Sequence, residues 1–274
     1  MSIESNSIGK LTYDGADLSK DDVVLRTDEL KKSFGGLTAT DGVSVAIERG
    51  SITGMIGPNG AGKSTLFNLI SGFYELDSGS VFVNDTDVTE MKPHEIARSG
   101  LMRTFQTPRR LEGMTVREAM LVGPQGQSGE SIIPLFLRGG TIKSEETTNL
   151  EDAQKMLERF EIDHLANAPS TELSGGQLKL VEMARAMMAQ PDILLLDEPV
   201  AGVNPTLAKK LAGFIKELNQ EGQTFLIIEH DMSFIMEIAD PIIVLDQGKV
   251  LMEDAPETVR SDERVIEAYL GGNA

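Results

Sequence analysis

Ser51-Ile52-Thr53-Gly54-Met55-Ile56 runs directly into Gly57-Pro58-Asn59-Gly60-Ala61-Gly62, and Lys63-Ser64-Thr65 then opens a helical pattern lasting to Ser71. The order is a short apolar strand, a glycine-rich loop and a helix, with Gly72 as the stop. Gly57-x-x-x-x-Gly62-Lys63-Ser64 is the spacing of a P-loop. Backbone N–H groups between Gly57 and Thr65 can surround a di- or triphosphate, with a helix N-terminus behind them. Lys63 would neutralise β/γ oxygens, and the Ser64 hydroxyl would ligate Mg²⁺. Chance alone gives this spacing in roughly one chain of this length per hundred. Its place between strand and helix lowers that further.

Outward from this stretch, Val23–Leu30 and Val43–Ile47 read as earlier strands and Val81–Val83 as a later one. Strands return at Ile193–Leu196, Phe225–Ile228 and Ile242–Leu245, with a helix over Leu207–Asn219. Continuous apolar strands alternating with helices imply a buried, mostly parallel sheet, and so an α/β class. Between Met114 and Gln190 the strand signals stop. Thr115–Val122 and Leu150–Phe160 read as helices, and Gly123–Thr148, rich in Gly, Ser and Pro, as the least ordered part. Leu180, Met183, Ala184, Met187 and Met188 form an apolar stripe at helical spacing that Pro191 ends. These methionines read as core. The α/β core is therefore interrupted by a helical insert at about 108–190.

The strand Ile193-Leu194-Leu195-Leu196 ends in Asp197-Glu198. In P-loop proteins an Asp at such a strand end helps hold Mg²⁺, which places Glu198 to polarise an attacking water. Metal and phosphate charge would let both neighbouring carboxylates stay ionised. A third motif, Leu173-Ser174-Gly175-Gly176-Gln177, precedes the striped helix. Ser174 suits an N-cap, and the two glycines let backbone N–H groups approach an anion. All five residues together match by chance in roughly one of thousands of chains.

With these motifs in this order the chain resembles the ATP-binding subunits of ABC transporters, over nearly everything after Leu25. The resemblance implies a P-loop NTPase core with a mostly parallel sheet, a small antiparallel β part and a helical subdomain. It makes residues 23–274 one ABC ATPase domain behind a disordered head at 1–22. It places Gln106 of Arg103-Thr104-Phe105-Gln106 as the glutamine touching Mg²⁺ or water, and His230 as the γ-phosphate contact. Phe34 becomes the aromatic against adenine, and Ser174, Gly175, Gly176 and Gln177 the signature that completes a partner's ATP site in a head-to-tail dimer. Asn204 stands where the family's loop aspartate usually is. Ala201-Gly202-Val203-Asn204-Pro205, Ile228-Glu229-His230-Asp231-Met232 and the tail Val265–Gly271 are similar to ATPases of branched-chain amino-acid importers. That subgroup implies separate membrane permeases, an extracytoplasmic solute-binding protein, and a place on the cytoplasmic face of the membrane. A lipopolysaccharide-exporter ATPase has a similar tail and is the nearest alternative. A soluble non-transport member would carry two cassettes or long heptad insertions, and neither pattern is present.

Composition agrees with the frame. At 274 residues, 40% hydrophobic and 25% charged, the chain has material for one large domain or a core with a subdomain. There is no cysteine, which excludes a disulfide scaffold and thiol chemistry. Met1–Lys20 is polar and acidic and lacks the pattern of a secretory leader. The longest apolar runs of the sequence, such as Ile193–Leu196 and Phe225–Ile228, fall far below the roughly 20 residues of a membrane span. The 43 acidic against 25 basic side chains give a net charge of −18, spread along the chain, which argues against nucleic acid as a partner. A salty cytoplasm is one source of such a balance. Screening of this self-repulsion should raise the melting temperature steadily as KCl goes from low to molar concentration. A flat melting curve over that range would dismiss the effect.

Overall fold

The computed structural model describes residues 10–13, 16–19, 22–104, 111–124 and 139–271. Strands β1 (Lys10–Tyr13), β2 (Ala16–Ser19), β3 (Val23–Phe34), β4 (Leu37–Glu48) and β5 (Ile52–Ile56) come first, and helix α1 (Lys63–Ile70) follows β5. Next come β6 (Ser78–Val83), β7 (Thr86–Asp87), α2 (Pro93–Arg98) and β8 (Leu101–Arg103). The helices α3 (Val116–Met120), α4 (Gly139–Arg159) and α5 (Gly175–Met187) follow. The chain continues through β9 (Ile193–Asp197), α6 (Pro205–Gln220), β10 (Thr224–Ile228), α7 (Met232–Ile238) and β11 (Ile242–Asp246). The last described elements are β12 (Lys249–Asp254), α8 (Pro256–Ser261) and α9 (Glu263–Gly271).

Two compact units divide the chain. The first takes Met1–Arg103, Asp192–Ala201 and Ala208–Ala274, and the second Thr104–Pro191 with Gly202–Leu207. The first unit holds a six-stranded sheet in the order β12-β11-β5-β10-β9-β8. Its neighbours pair in parallel from β11 to β8, and only β12 at one edge runs antiparallel. Every residue of β5, β9 and β10 is buried, which is why these strands read as unbroken apolar runs rather than alternating ones. A second, antiparallel sheet has the order β4-β3-β6-β7. Helix α1 sends Leu66, Phe67 and Ile70 into one core cluster with Leu25 and Val45 of that sheet and Leu195 and Leu226 of the parallel one.

The β3–β4 hairpin extends well past the sequence-based strand limits, because its outer half is polar on an exposed face. Its register shifts between Thr27 and Leu30. The fully buried Thr27 hydroxyl patches the irregularity: Oγ1 donates to the Val43 carbonyl at 3.2 Å and accepts the Val45 N–H at 3.0 Å. Within 1–22, expected from the sequence to be a disordered head, Lys10–Tyr13 and Ala16–Ser19 pair as the antiparallel strands β1 and β2. The local signal for them is Asp14-Gly15 set between two short runs, a hairpin composition.

In the second unit, Leu180, Met183, Ala184, Met187 and Met188 are all buried, as the stripe requires. Thr115 and Glu118 cap α3 reciprocally, and the next two N–H groups, Val116 and Arg117, bond the carbonyls of Ala168 and Ala166. Helix α4 begins at Gly139, inside the stretch read as least ordered. The helix breakers of that stretch end at Gly140, and the residues beyond it tolerate a helix.

Replacing Thr27 by Val keeps the shape but leaves the buried Val45 N–H facing a methyl group. Urea unfolding should show a loss of about 1–3 kcal/mol, and an unchanged midpoint would deny Thr27 this role.

Candidate functional site

The loop between β5 and α1 is shaped by two glycines. Gly57 has φ 153°, and a Cβ there would lie 2.1 Å from the Leu245 carbonyl oxygen. Gly62 has φ 99°, and a Cβ would lie 2.3 Å from the Ala39 oxygen. No other residue fits either place. Gly62 also forms the N-cap of α1, so the helix begins at Lys63 with its first N–H groups free of any side-chain cap. Such a terminus suits an anion. The Lys63 side chain is buried, and its Nζ donates to the carbonyls of Gly57 at 2.6 Å and Pro58 at 3.0 Å. Burial pulls its pKa below the ordinary lysine value, while the nearby carboxylates of Glu198 and Asp197 oppose that shift.

A cleft of about 330 Å³ opens over this loop. Asn59, Gly60, Ala61, Gly62, Lys63, Ser64 and Thr65 form its floor, and Phe34 and His230 stand on its walls. Leu37 and Thr38 line it too, although no sequence signal singled them out. Phe34 is 43% exposed at the tip of β3, in an edge-to-face pair with Tyr74 at a centroid distance of 5.4 Å and with Lys32 Nζ over its ring at 5.6 Å.

Strand β9 delivers Asp197 as its last, buried residue, and Glu198 follows in a left-handed conformation at φ 51°. Glu198 Oε1 lies 2.8 Å from His230 Nε2. Asp197 Oδ2 accepts from Arg103 Nη2 at 2.8 Å, an ion pair with both side chains almost fully buried. Arg103 Nη1 also donates to Asn68 Oδ1 at 2.8 Å and Ser71 Oγ at 3.0 Å, and its guanidinium lies over Phe67 and Phe73. Sequence patterns did not flag Arg103 for this. Arg103 ends the short edge strand β8, and a guanidinium buried there needs an acidic partner.

Pro58, with Asn59, also borders a second cleft of about 470 Å³ beside α9. Above it, Tyr269 Oη accepts the Gly57 N–H at 2.8 Å, and burial pushes the phenol pKa up. Ser174, Gly175, Gly176 and Gln177 belong to the second unit. There Ser174 Oγ accepts from the Gln177 N–H at 3.3 Å, while Gln177 Oε1 accepts from the Ser174 N–H at 2.9 Å, a reciprocal cap that opens α5. Asn204 Oδ1 accepts the Leu207 N–H at 2.9 Å at the start of α6. Gln106 lies outside the described residues.

Residues 40–201 match the family model of the ABC transporter. The chain belongs to the ABC transporter family. Residues 249–274 match a second model, that of the branched-chain amino acid ATP-binding cassette transporter. The chain is 44% identical to a probable branched-chain amino acid transport ATP-binding protein of Archaeoglobus fulgidus, over 90% of this chain and 95% of that one. It is 38% identical to a high-affinity branched-chain amino acid transport ATP-binding protein of Pseudomonas aeruginosa, over 90% and 98%. A crystal structure of the ADP conformation of an ABC-transporter ATP-binding cassette superposes with a TM-score of 0.78 at 41% identity, covering 91% of this chain and 99% of that one. The α/β architecture is thus that of an ATP-binding cassette, and the cassette is an ATPase.

Lys63→Ala should weaken ATP binding by about 10- to 100-fold, the loss of a charged hydrogen bond of about 1.5–3 kcal/mol. Calorimetry with unchanged affinity would overturn the phosphate-binding assignment of this loop.

Proposed function

We propose that this cassette hydrolyses Mg·ATP to power uptake of branched-chain amino acids through separate membrane permeases, working at the cytoplasmic face of the membrane. The observation that carries the mechanism is the 2.8 Å contact between Glu198 and His230, with His230 on the wall of the cleft whose floor is the glycine loop. Loop N–H groups and Lys63 hold the phosphates. To reach them the Lys63 ammonium leaves the Gly57 and Pro58 carbonyls, an exchange of one set of charge-assisted hydrogen bonds for a stronger one. Glu198 draws a proton from the attacking water, and His230 faces the γ-phosphate. Phe34, partly exposed where it lines the cleft, packs against the adenine ring.

The donor set fits Mg²⁺. Ser64 and Asp197 present hard oxygen ligands, and the Arg103 pair takes only Oδ2 of Asp197. When bound, Mg²⁺ neutralises charge on the phosphoryl oxygens. Gln106 is proposed as a further contact to it.

Two arguments support partners. One glycine loop and one Ser174–Gln177 signature occur in the chain, so a second ATPase subunit, same or paralogous, supplies the complementary motif in a head-to-tail dimer. Among the described residues no helix is long and apolar enough to cross a membrane, so transport requires permease subunits. The match of the tail at 249–274 to a branched-chain cassette model favours import of those solutes over lipopolysaccharide export. An extracytoplasmic binding protein would deliver the solute.

Reconstitution with its cognate permease subunits tests both halves. Wild type should drive ATP-dependent leucine uptake into vesicles, whereas Glu198→Gln should keep Mg·ATP binding and lose turnover and uptake by about 100-fold or more. Wild-type turnover in that variant would remove Glu198 as the base. Absence of any branched-chain uptake by the wild type would remove the substrate assignment.

A further inference from the structure

Glu229 is the residue that nucleotide chemistry leaves unexplained. It follows β10, is 2% exposed, and has no cationic partner among the described residues. It is also absent from the lining of the cleft. A bare carboxylate in such a place is costly unless hydrogen bonds offset its desolvation. Three backbone donors offset part of that cost, while burial and the neighbouring Glu198 charge still hold its pKa above the ordinary carboxylate value. Oε1 accepts the Val200 N–H at 2.8 Å, and Oε2 accepts the N–H groups of His230 at 3.0 Å and Asp231 at 3.3 Å.

The two ends of this clamp are the two segments that meet in the site. On one side is the turn 198–201, closed by the Ala201 N–H on the Glu198 carbonyl at 3.2 Å and anchored by the Glu198 N–H on Ile228 at 2.9 Å. Within it Glu198 has φ 51°, a conformation that is costly for a non-glycine residue and persists only where its surroundings over-determine it. On the other side is His230, followed by Asp231, whose carboxylate caps α7 by accepting from Ser233 and Phe234. His230 therefore sits between a carboxylate-bound N–H and a capped helix, while Glu198 sits in a turn tied to the same carboxylate.

We propose that Glu229 is a positioning residue for hydrolysis: it fastens the Glu198 turn and the His230 segment into one rigid piece and so maintains the contact between those two side chains. Glu229 touches no reacting atom. This rests on the roles proposed above for Glu198 and His230. A residue that served stability alone would not alter turnover at constant nucleotide affinity, and that difference makes the proposal testable.

Glu229→Gln preserves the shape but turns an amide NH₂ toward one set of N–H donors, releasing one end of the clamp. In the transporter reconstituted as above, kcat for Mg·ATP should fall about 10- to 100-fold, the scale on which a small misplacement of a reacting group acts. ATP and ADP affinity should stay within about twofold in the same preparation. In a His230→Ala background the same change should add little, because the contact it maintains is already gone. If Glu229→Gln is unfolded at the assay temperature, Glu229→Asp, one methylene short of the donors, should show the same separation of kcat from affinity. Wild-type kcat, a loss of affinity in step with kcat, or losses that multiply with His230→Ala would each overturn the clamp. Wild-type turnover by Glu198→Gln or His230→Ala would instead overturn the site reading beneath it.

Discussion

Backbone packed directly on backbone around the glycine loop is the constraint on which the site depends. The Leu245 carbonyl of β11 occupies the space a side chain at residue 57 would need, and the Ala39 carbonyl of β4 does the same at residue 62. Gly248 closes the third side, donating to the Ala61 carbonyl at 3.0 Å and accepting from the Asp41 N–H at 2.8 Å. The loop is thus wedged between strands of two different sheets. That wedge fixes the loop backbone, and a fixed backbone is the condition for the proposed electrostatic stabilisation without reorganisation at the moment of reaction.

That arrangement also reconciles an acidic protein with an anionic ligand. The −18 charge belongs to the molecule as a whole, whereas the proposed phosphate loop offers backbone N–H dipoles and a lysine held away from water. Asp197, which would otherwise add a buried negative charge, has Arg103 against it, and Arg103 is itself fixed by Asn68, Ser71 and two phenylalanine rings. Breaking a buried pair of this kind strands a charge, so the arginine fixes the strand end as well as its potential. Glu229 differs: it takes three backbone N–H groups and, among the described residues, no cation, which suits the joint proposed for it.

The parts legible in the sequence were those with local patterns. Gly57–Ser64, Asp197-Glu198 and the buried strands could be read because spacing and unbroken apolar runs report backbone conformation within a few residues. Ser174 was legible as a cap for the same reason, and the structure has it capping α5. What escaped was set by distance along the chain. Arg103 meets Asp197 across 94 positions, Val200 meets Glu229 across 29, and Tyr269 meets Gly57 across 212. No periodicity encodes such a meeting. Strand β12 and the outer halves of β3 and β4 escaped for another reason: their half-exposed residues mix polar and apolar types, so neither alternation nor a continuous apolar run marks them.

The sheet order has a consequence for how the chain is made. Strand β5, which feeds the glycine loop, has β10 and β11 as its two neighbours, and neither exists until synthesis has passed residue 224. The Gly50–Thr224 hydrogen bond joins residues 174 positions apart, and the Tyr269 bond to the loop comes later still. A chain emerging from the ribosome therefore exposes an apolar, unpaired strand and an unfinished phosphate loop through most of translation. Its hairpins and α1 can form early, but the nucleotide pocket is assembled last, and non-local pairing of this kind folds slowly. During that interval the nascent chain depends on whatever shields a bare strand edge.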